Sequence, residues 1–237
     1  MSIFQFKQFA IKHDKSTIKV GTDAVLLGAY APIPEKCSNI LDIGSGCGVI
    51  TLMLAQRSLA HITGIDIDKS SVEQSIENAN NSPYSNRIKF VNISIQDFCT
   101  SGNKNNFDLI VSNPPFFVGS LKSPVHKRNI SRHTDTLPFE ELIFSVNYCL
   151  SSTGFFAIII PHTTKNTIEN LCKNQSLFCS NILYIKPFEN KYVNRVIMIF
   201  SREEKKLQSE NLIIRDLSMK YTNQYRLLTE DFYLNID

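Results

Sequence analysis

The stretch "NILDIGSGCGVITLMLAQRS" occupies residues 39–58 and changes its pattern halfway along. Its first five residues are almost continuously apolar, which is typical of a strand that is buried on both faces. Three glycines follow, at Gly44, Gly46 and Gly48, and the remaining residues place apolar side chains three and four positions apart, as in a helix. A strand, a glycine-rich turn and a helix in this order predict the first unit of an α/β sheet.

Short apolar segments alternate with longer amphipathic ones through the rest of the chain. We predict further strands at 61–66, 88–92, 107–112, 154–161, 181–187 and 193–201, and helices at 69–80, 138–150 and 164–174. Alternation of this kind implies right-handed crossovers between parallel strands. The last two strands are separated by only a few residues, so they must be antiparallel. The pattern therefore predicts a Rossmann-like α/β fold, with a mostly parallel seven-stranded sheet, one antiparallel strand and helices on both faces.

The composition describes a globular protein that can bury a core. The chain has 237 residues, of which 43% are hydrophobic, and a net charge of +3, which permits an anionic partner without requiring one. The cysteines form no CxxC pair and the histidines lie far apart, so we expect no metal site. Because there is no secretory leader and no apolar run near the roughly 20 residues of a membrane helix, we expect a cytoplasmic protein without membrane contact.

We predict a single domain over residues 1–237. It divides into an N-terminal segment (1–38), a core (39–201) and a C-terminal extension (202–237), and we favour a monomer. "SREEKKLQSE" (201–210) is interpreted as a charged turn.

The glycine loop at 44–48 predicts a ligand site at the carboxyl end of the first strand. Glycine lets the backbone turn tightly and lie against a ligand, and in open α/β sheets this crevice is where ligands bind. An ordinary strand-to-helix turn is the alternative. A dinucleotide fingerprint would have a third glycine at the position of Val49, and the GK[ST] of a P-loop is absent.

Three acidic residues follow or end successive strands. Asp42 lies at the end of the first strand, Asp66 closes the second, and Asp97 comes just after the third. A carboxylate about 20 residues beyond the glycine loop is placed to accept both ribose hydroxyls, and Asp97 is placed to accept from an adenine amino group. This acidic set fits S-adenosylmethionine, an uncharged nucleoside that carries a cationic amino acid. Of Asp66 and Asp68, we assign the ribose to Asp66 and a helix N-cap to Asp68.

The predicted strand at 107–112 ends on "NPPFF". The amide oxygen of Asn113 and the carbonyl of Pro114 can accept both hydrogens of a planar amino group and orient its lone pair. Pro114 and Pro115 hold the backbone there because their φ angles are fixed. Phe116 offers a face on which an extruded base can stack. A strand end with core aromatics is the alternative interpretation.

"LDIGSGCG" (41–48) together with "NPPF" (113–116) resembles the class I methyltransferases that modify exocyclic or amide nitrogens. That family usually has Tyr where this chain has Phe116, a change that keeps the stacking face. "FKQFAIKHDKSTIKVGTDAVLLGAYAP" (6–32) is similar to the N-terminal signature of the bacterial tRNA(Val) adenine-N(6) methyltransferases, and later segments also resemble that family. The resemblance implies a class I methyltransferase fold, S-adenosylmethionine as cofactor and the anticodon stem-loop of a tRNA as partner.

Two further groups of residues are expected to bind ligand. Thr22 and Asp23 begin a predicted helix and are candidate contacts to the methionine ammonium group, with a simple N-cap as the alternative. The loop after the Asn-Pro-Pro-Phe motif is polar and basic, and its candidate substrate contacts are Phe117, Lys122, Lys127, Arg128 and Arg132. Backbone phosphates would attract such a loop, although basic loops are often only solvated.

The sequence thus predicts an RNA adenine-N(6) methyltransferase that acts on tRNA. One alternative is methylation of another nitrogen, in an RNA guanine or a protein glutamine. The other is a protein that binds the cofactor and RNA without turnover.

Overall fold

The computed structural model of the protein describes residues 3–16, 20–115 and 137–235. Its strands are β1 (Ile3–Gln5), β2 (Ala10–Lys12), β3 (Asn39–Ile43), β4 (His61–Asp66), β5 (Ile88–Asn92), β6 (Phe107–Ser112), β7 (Leu150–Pro161), β8 (Phe178–Phe188), β9 (Arg195–Ser201) and β10 (Gln208–Arg215). Its α-helices are α1 (Thr22–Tyr30), α2 (Val49–Arg57), α3 (Lys69–Asn80), α4 (Ile95–Thr100), α5 (Phe139–Cys149), α6 (Lys165–Asn174) and α7 (Asn223–Thr229).

The main sheet has the strand order β10-β8-β9-β7-β6-β3-β4-β5. Strand β9 is antiparallel to both of its neighbours, β7 and β8, and every other pairing in the sheet is parallel. The predicted Rossmann-like α/β class is therefore confirmed. Among the described residues the sheet has eight strands, not the predicted seven, because β10 adds to β8 at the edge.

Strand β10 begins inside the segment that was interpreted as a charged turn. Its first four residues are exposed, and Leu212 is the single fully buried residue of the strand. An edge strand has one side without a partner strand, so it tolerates polar residues at positions that a central strand fills with apolar ones. The predicted turn is confirmed for residues 202–207, which connect β9 to β10, and was wrong for residues 208–210, which begin β10. The strand was missed because the segment lacks the alternation of a half-buried strand.

Apolar clusters cover both faces of the sheet. Alternate residues of each strand point to opposite faces, and accordingly Ile40 packs with α1 and α2 while Leu41 packs with α4, α5 and α6. The prediction of helices on both faces is confirmed. Packing of this kind leaves the sheet's carboxyl edge, where β3, β4, β5 and β6 end, for other contacts.

The N-terminal segment lies beside that edge. The sequence "FQFKQFAI" (4–11) alternates like a single strand, but residues 3–12 form the antiparallel pair β1–β2 with a turn between the strands. The segment is then held on α3, because Asn78 Oδ1 accepts from the backbone N–H of Lys12 and Gln74 Oε1 accepts from those of Lys15 and Ser16. These contacts bring Ser16 close to the glycine loop.

Candidate active site

The loop between β3 and α2 is built on glycines in the left-handed region. Gly44, Gly46 and Gly48 have φ angles of 74°, 53° and 83°. Residues with a Cβ adopt such angles only at a cost, so the prediction that glycine shapes this turn has a clear physical basis. The loop is also fixed by hydrogen bonds, since the N–H groups of Gly44 and Ser45 both donate to the carbonyl of Ile65, at 2.9 and 3.0 Å.

The glycines differ in what surrounds them. A Cβ on Gly48 would lie 2.8 Å from Phe90 Cζ and 3.2 Å from Ser75 Cβ, so this glycine allows α2 to pack closely. A Cβ on Gly44 would meet nothing within 4 Å. The backbone at Gly44 therefore faces open space, where a ligand can approach it closely.

Asp42 is a buried carboxylate with an incomplete set of hydrogen bonds. Its Oδ2 accepts from the hydroxyl of Thr51 at 2.7 Å, whereas its Oδ1 is buried and has no partner in the part of the chain that the structure describes. Burial raises the pKa of Asp42 to about 7, against the lowering effect of Thr51. A buried carboxylate oxygen without a donor is costly, and a cation or N–H donor at this position would relieve that cost.

Asp66 and Asp68 have separate roles at the end of β4. Asp66 is half-buried, and its two oxygens accept from the N–H groups of Gly46 at 2.8 Å and Asp68 at 2.9 Å. Burial raises the pKa of Asp66. Asp68 accepts from the N–H groups of Ser70 and Ser71 and caps α3, which confirms its predicted role as an N-cap. Asp66 is thus held against the glycine loop, with lone pairs left to accept from a ligand.

Asp97 is exposed in the first turn of α4. Its N–H donates to Ser94 Oγ at 3.1 Å, and the Ser94 hydroxyl also lies 2.7 Å from Asp97 Oδ2. These bonds resemble a capping box, so this carboxylate also stabilises its own helix. Asn92, at the end of β5, donates from its side chain to the carbonyls of Asp66 and Ile67 and so ties β5 to β4.

Thr22 and Asp23 lie in the first turn of α1. The N-cap is Gly21, which has no side chain with which to cap the helix, so the alternative of a simple Thr22 or Asp23 N-cap was wrong. Asp23 Oδ2 instead accepts from Arg195 Nε at 2.9 Å, and this ion pair joins α1 to the first residue of β9.

Asn113 and Gly44 leave neighbouring strands at the same level. Strand β6 lies beside β3, and Ser112 pairs in register with Ile43. The Ser112 hydroxyl also donates to the carbonyl of Ile43 at 3.0 Å. The next residue of each strand is therefore Asn113 on one side and Gly44 on the other, about 4.8 Å apart in strand spacing. This register brings the predicted amino-orienting residue next to the predicted ligand loop.

The remaining site residues differ in how much can be described. Asn113 is half-buried, Pro114 is buried and Pro115 is exposed. Phe116, Phe117, Lys122, Lys127, Arg128 and Arg132 lie outside the described residues. Within residues 3–16, 20–115 and 137–235, no group of three His, Cys, Asp or Glu side chains is placed to hold a metal ion, and no helix is long and apolar enough to cross a membrane.

Sequence reasoning missed three contributors to this edge. Thr51 lies on α2, nine residues from its partner Asp42, and a strand-end acid followed by a hydroxyl in the next helix was the available signal. Arg195 lies 172 residues from Asp23, and Asn92 acts through its side-chain amide on another strand. Neither the contact of Arg195 nor that of Asn92 is visible as a pattern of neighbouring residues in the sequence.

Comparison with known proteins agrees with this geometry. A family model described as a methyltransferase domain matches residues 34–215. A crystal structure of a predicted O-methyltransferase from Agrobacterium tumefaciens superposes with a TM-score of 0.69, covering 89% of this chain and 96% of that one. The two sequences are 20% identical, so this likeness establishes the fold alone.

Two curated relatives are much more similar in sequence. The tRNA1(Val) (adenine(37)-N6)-methyltransferase of Bacteroides fragilis is 40% identical over 236 residues, which cover 98% of both chains. The protein of the same name from Flavobacterium psychrophilum is 37% identical over 235 residues, covering 99% of this chain and 100% of that one. Similarity at this level over almost the whole of each sequence means that the chain belongs to the bacterial tRNA1(Val) (adenine(37)-N6)-methyltransferase family.

Proposed function

We propose that this protein transfers the methyl group of S-adenosylmethionine to the N6 amino group of adenine 37, beside the anticodon, in a valine tRNA. The register of β3 and β6 carries the proposal, because it brings the glycine loop and Asn113 to adjacent strand ends. The substrate follows from the relatives, whose names specify this adenine. We also propose that the protein is a cytoplasmic monomer with a single domain and that it binds tRNA.

The residues at the β3–β4 edge fit S-adenosylmethionine. The space above Gly44 admits a ligand, and the unpartnered oxygen of Asp42 suits a cationic group. Asp66 accepts hydrogen bonds from the ribose hydroxyls and Asp97 accepts one from the adenine amino group, while Gly46 and Gly48 shape the loop. When bound, the cofactor supplies a methyl group on a positively charged sulfur.

Thr22 and Asp23 contact the methionine ammonium group in this proposal. Because Asp23 Oδ2 is engaged by Arg195, the contact from Asp23 uses its other oxygen. Arg195 thereby holds both α1 and the carboxylate in place.

Asn113 and Pro114 orient the target amino group. The side-chain oxygen of Asn113 and the carbonyl of Pro114 accept its two hydrogens and direct the nitrogen lone pair into the crevice. Neither prolyl residue has an N–H, and the fixed φ angles of Pro114 and Pro115 hold the accepting carbonyl in position. Phe116 stacks on the extruded adenine.

The segment that follows makes the remaining substrate contacts in this proposal. Phe117 lies beside the target base, and Lys122, Lys127, Arg128 and Arg132 contact tRNA phosphates.

Nucleoside mass spectrometry of tRNA from cells with and without this protein tests the proposal. We expect N6-methyladenosine in the valine tRNA to disappear with the protein and to return when the wild-type gene is restored. Restoration by the wild type but not by Asn113→Ala would locate the chemistry at the strand ends. Loss of a methylated guanine, or of methylated glutamine in a protein, would support methylation of another nitrogen. Unchanged methylation in both RNA and protein would support a protein that binds without turnover.

A further inference from the structure

The turn between β8 and β9, residues 189–194, projects from the same edge of the sheet as Asn113. Its sequence is "ENKYVN", and the side chain of Tyr192 is 94% exposed. Among the residues that the structure describes, the Tyr192 ring has no aromatic, cationic or hydrogen-bonding partner. A tyrosine held in water on a short turn does not contribute to the core, so its ring is accessible to a binding partner.

A second turn lies beside the first one. Residues 215–221, "RDLSMKY", connect β10 to α7, and the N–H of Glu189 donates to the carbonyl of Arg215 at 3.1 Å. Leu217 is 71% exposed and Met219 is 58% exposed, with Met219 at a φ of 65°. We call the two turns together, residues 189–194 and 215–221, the edge surface. It combines an exposed aromatic ring with exposed aliphatic side chains.

The edge surface carries three basic and two acidic side chains, a net charge of +1 that permits an anionic partner. Lys191 and Lys220 are exposed, and the Arg215 guanidinium lies 4.0 Å from the centre of the Tyr221 ring. Two acids are also present, but Asp216 uses Oδ1 to accept from backbone N–H groups of its own turn, including that of Lys220 at 3.0 Å. Glu189 is the acid that remains exposed without such a bond among the described residues.

The edge surface lies on the side of Asn113 opposite the proposed cofactor site. In the proposed reaction the cofactor lies over β3, β4 and β5 and the target base enters at Asn113, so RNA on the other side of Asn113 would lie over β7, β9, β8 and β10. With a strand spacing of about 4.8 Å, β8 lies about 14 Å and β10 about 19 Å from β6. The edge surface therefore lies on that side of Asn113, within about 20 Å of it along the edge of the sheet.

We propose that the edge surface binds single-stranded RNA next to the methylated adenine, with Tyr192 stacking on a base and Lys191 and Lys220 lying near phosphates. The inference rests on the proposed function. Exposed aromatic rings interleaved with lysines bind single strands because every base has a face on which to stack, while phosphates supply sequence-independent attraction.

Binding of a fluorescently labelled anticodon stem-loop of valine tRNA to the full-length protein tests the inference. Tyr192→Ala should weaken RNA binding about tenfold, within the range found when a single base loses its stacking partner, and Tyr192→Phe should bind as the wild type does. The affinity for S-adenosylmethionine and the methyl-transfer rate at saturating RNA should not change. Leu59→Ala is the matched control, because Leu59 is 92% exposed just before β4, at the opposite edge of the sheet.

Charge reversal provides an independent arm. Lys191→Glu combined with Lys220→Glu should reduce the log–log salt slope of RNA binding by roughly 0.7 to 0.9 for each phosphate that a lysine no longer neutralises. Lys104→Glu, also exposed but before β6 at the opposite edge, should leave the slope unchanged. Wild-type affinity in Tyr192→Ala, or an equal loss of affinity in Leu59→Ala, would overturn the inference. These are binding results, so they separate this inference from the proposed function, which fails if the wild type transfers no methyl group to tRNA.

Discussion

The two halves of the sheet's carboxyl edge are built in different ways. Over β3, β4 and β5, the edge is closed by short turns whose N–H groups are bonded to neighbouring strands, and two of its carboxylates, Asp42 and Asp66, are wholly or partly buried. Over β9, β8 and β10, the edge ends in projecting turns with exposed rings, aliphatic groups and lysines. The first kind of construction suits the small cofactor that we propose there, and the second suits the RNA strand that we propose beside it.

Asn113 lies at the boundary between these halves, and its replacement should have the largest effect. Asn113→Ala removes one of the two acceptors for the target amino group, so we expect methyl transfer to slow by about two to three orders of magnitude. Affinities for cofactor and RNA should change little, because residue 113 follows the strand and lies outside its ladder. Single-turnover rates measure the effect.

Asn106→Ala is the matched control for this prediction. Asn106 immediately precedes β6, as Asn113 immediately follows it, and it is exposed. A wild-type rate in Asn113→Ala, or an equal reduction of the rate in Asn106→Ala, would mean that the side chain of Asn113 has no role in methyl transfer.

Asp66 and Asp68 offer a sharper test of the half over β3, β4 and β5, which we call the cofactor half. Asp66→Asn should weaken S-adenosylmethionine binding by roughly ten- to a hundredfold, the scale of a hydrogen bond to a charged group. Asp68→Asn should have almost no effect, since asparagine is as good an N-cap as aspartate. Titration calorimetry with each variant checks this. Equal losses of affinity would show that the two carboxylates share the ribose.

Gly44 and Gly48 lie in the same loop but have different roles: we assign ligand contact to Gly44 and close packing to Gly48. Both have positive φ angles, so an alanine at either position should cost about 1–2 kcal/mol of folding free energy. Gly48→Ala should cost a further 1–3 kcal/mol or so, because its Cβ meets Phe90. Gly44→Ala should instead weaken cofactor binding, by about tenfold or 1.4 kcal/mol. Urea denaturation measures the loss of stability, and calorimetry measures the loss of cofactor affinity. A larger loss of stability in Gly44→Ala, or a larger loss of affinity in Gly48→Ala, would contradict the described geometry.

The protonation of Asp42 should change cofactor affinity by less than the Asp66→Asn and Gly44→Ala substitutions do. Its pKa rises from 3.8 to about 7 on folding, so the native state binds a proton that the unfolded state has lost. The free energy of unfolding should therefore fall as the pH rises from about 4 to about 7 and then level off. Binding of a cationic cofactor should strengthen severalfold from pH 6 to pH 8, as Asp42 ionises.

Asp42→Asn is the control for this titration. The variant should show a flatter profile of stability in urea denaturation and of affinity in calorimetry across the same pH range. A wild-type profile in the variant would assign the titration to another group.

The cofactor half was largely predictable from sequence, and the other half was not. Gly44, Gly46 and Asp68 act within a few residues of their own turn, so a local pattern reveals them. The pair formed by Asp23 and Arg195 joins residues 172 positions apart, and only the completed sheet brings them together. Strand β10 was missed because an edge strand with four exposed residues has the composition of a turn.

Methylation of a defined transcript tests the central claim most directly. The purified protein is incubated with S-adenosylmethionine and either an unmodified valine tRNA transcript or the same transcript with guanine in place of adenine 37, and the nucleosides are analysed by mass spectrometry. We predict one N6-methyladenosine per molecule of the first transcript and no methylated nucleoside in the second. Equal methylation of both transcripts, or of neither, would contradict the proposal.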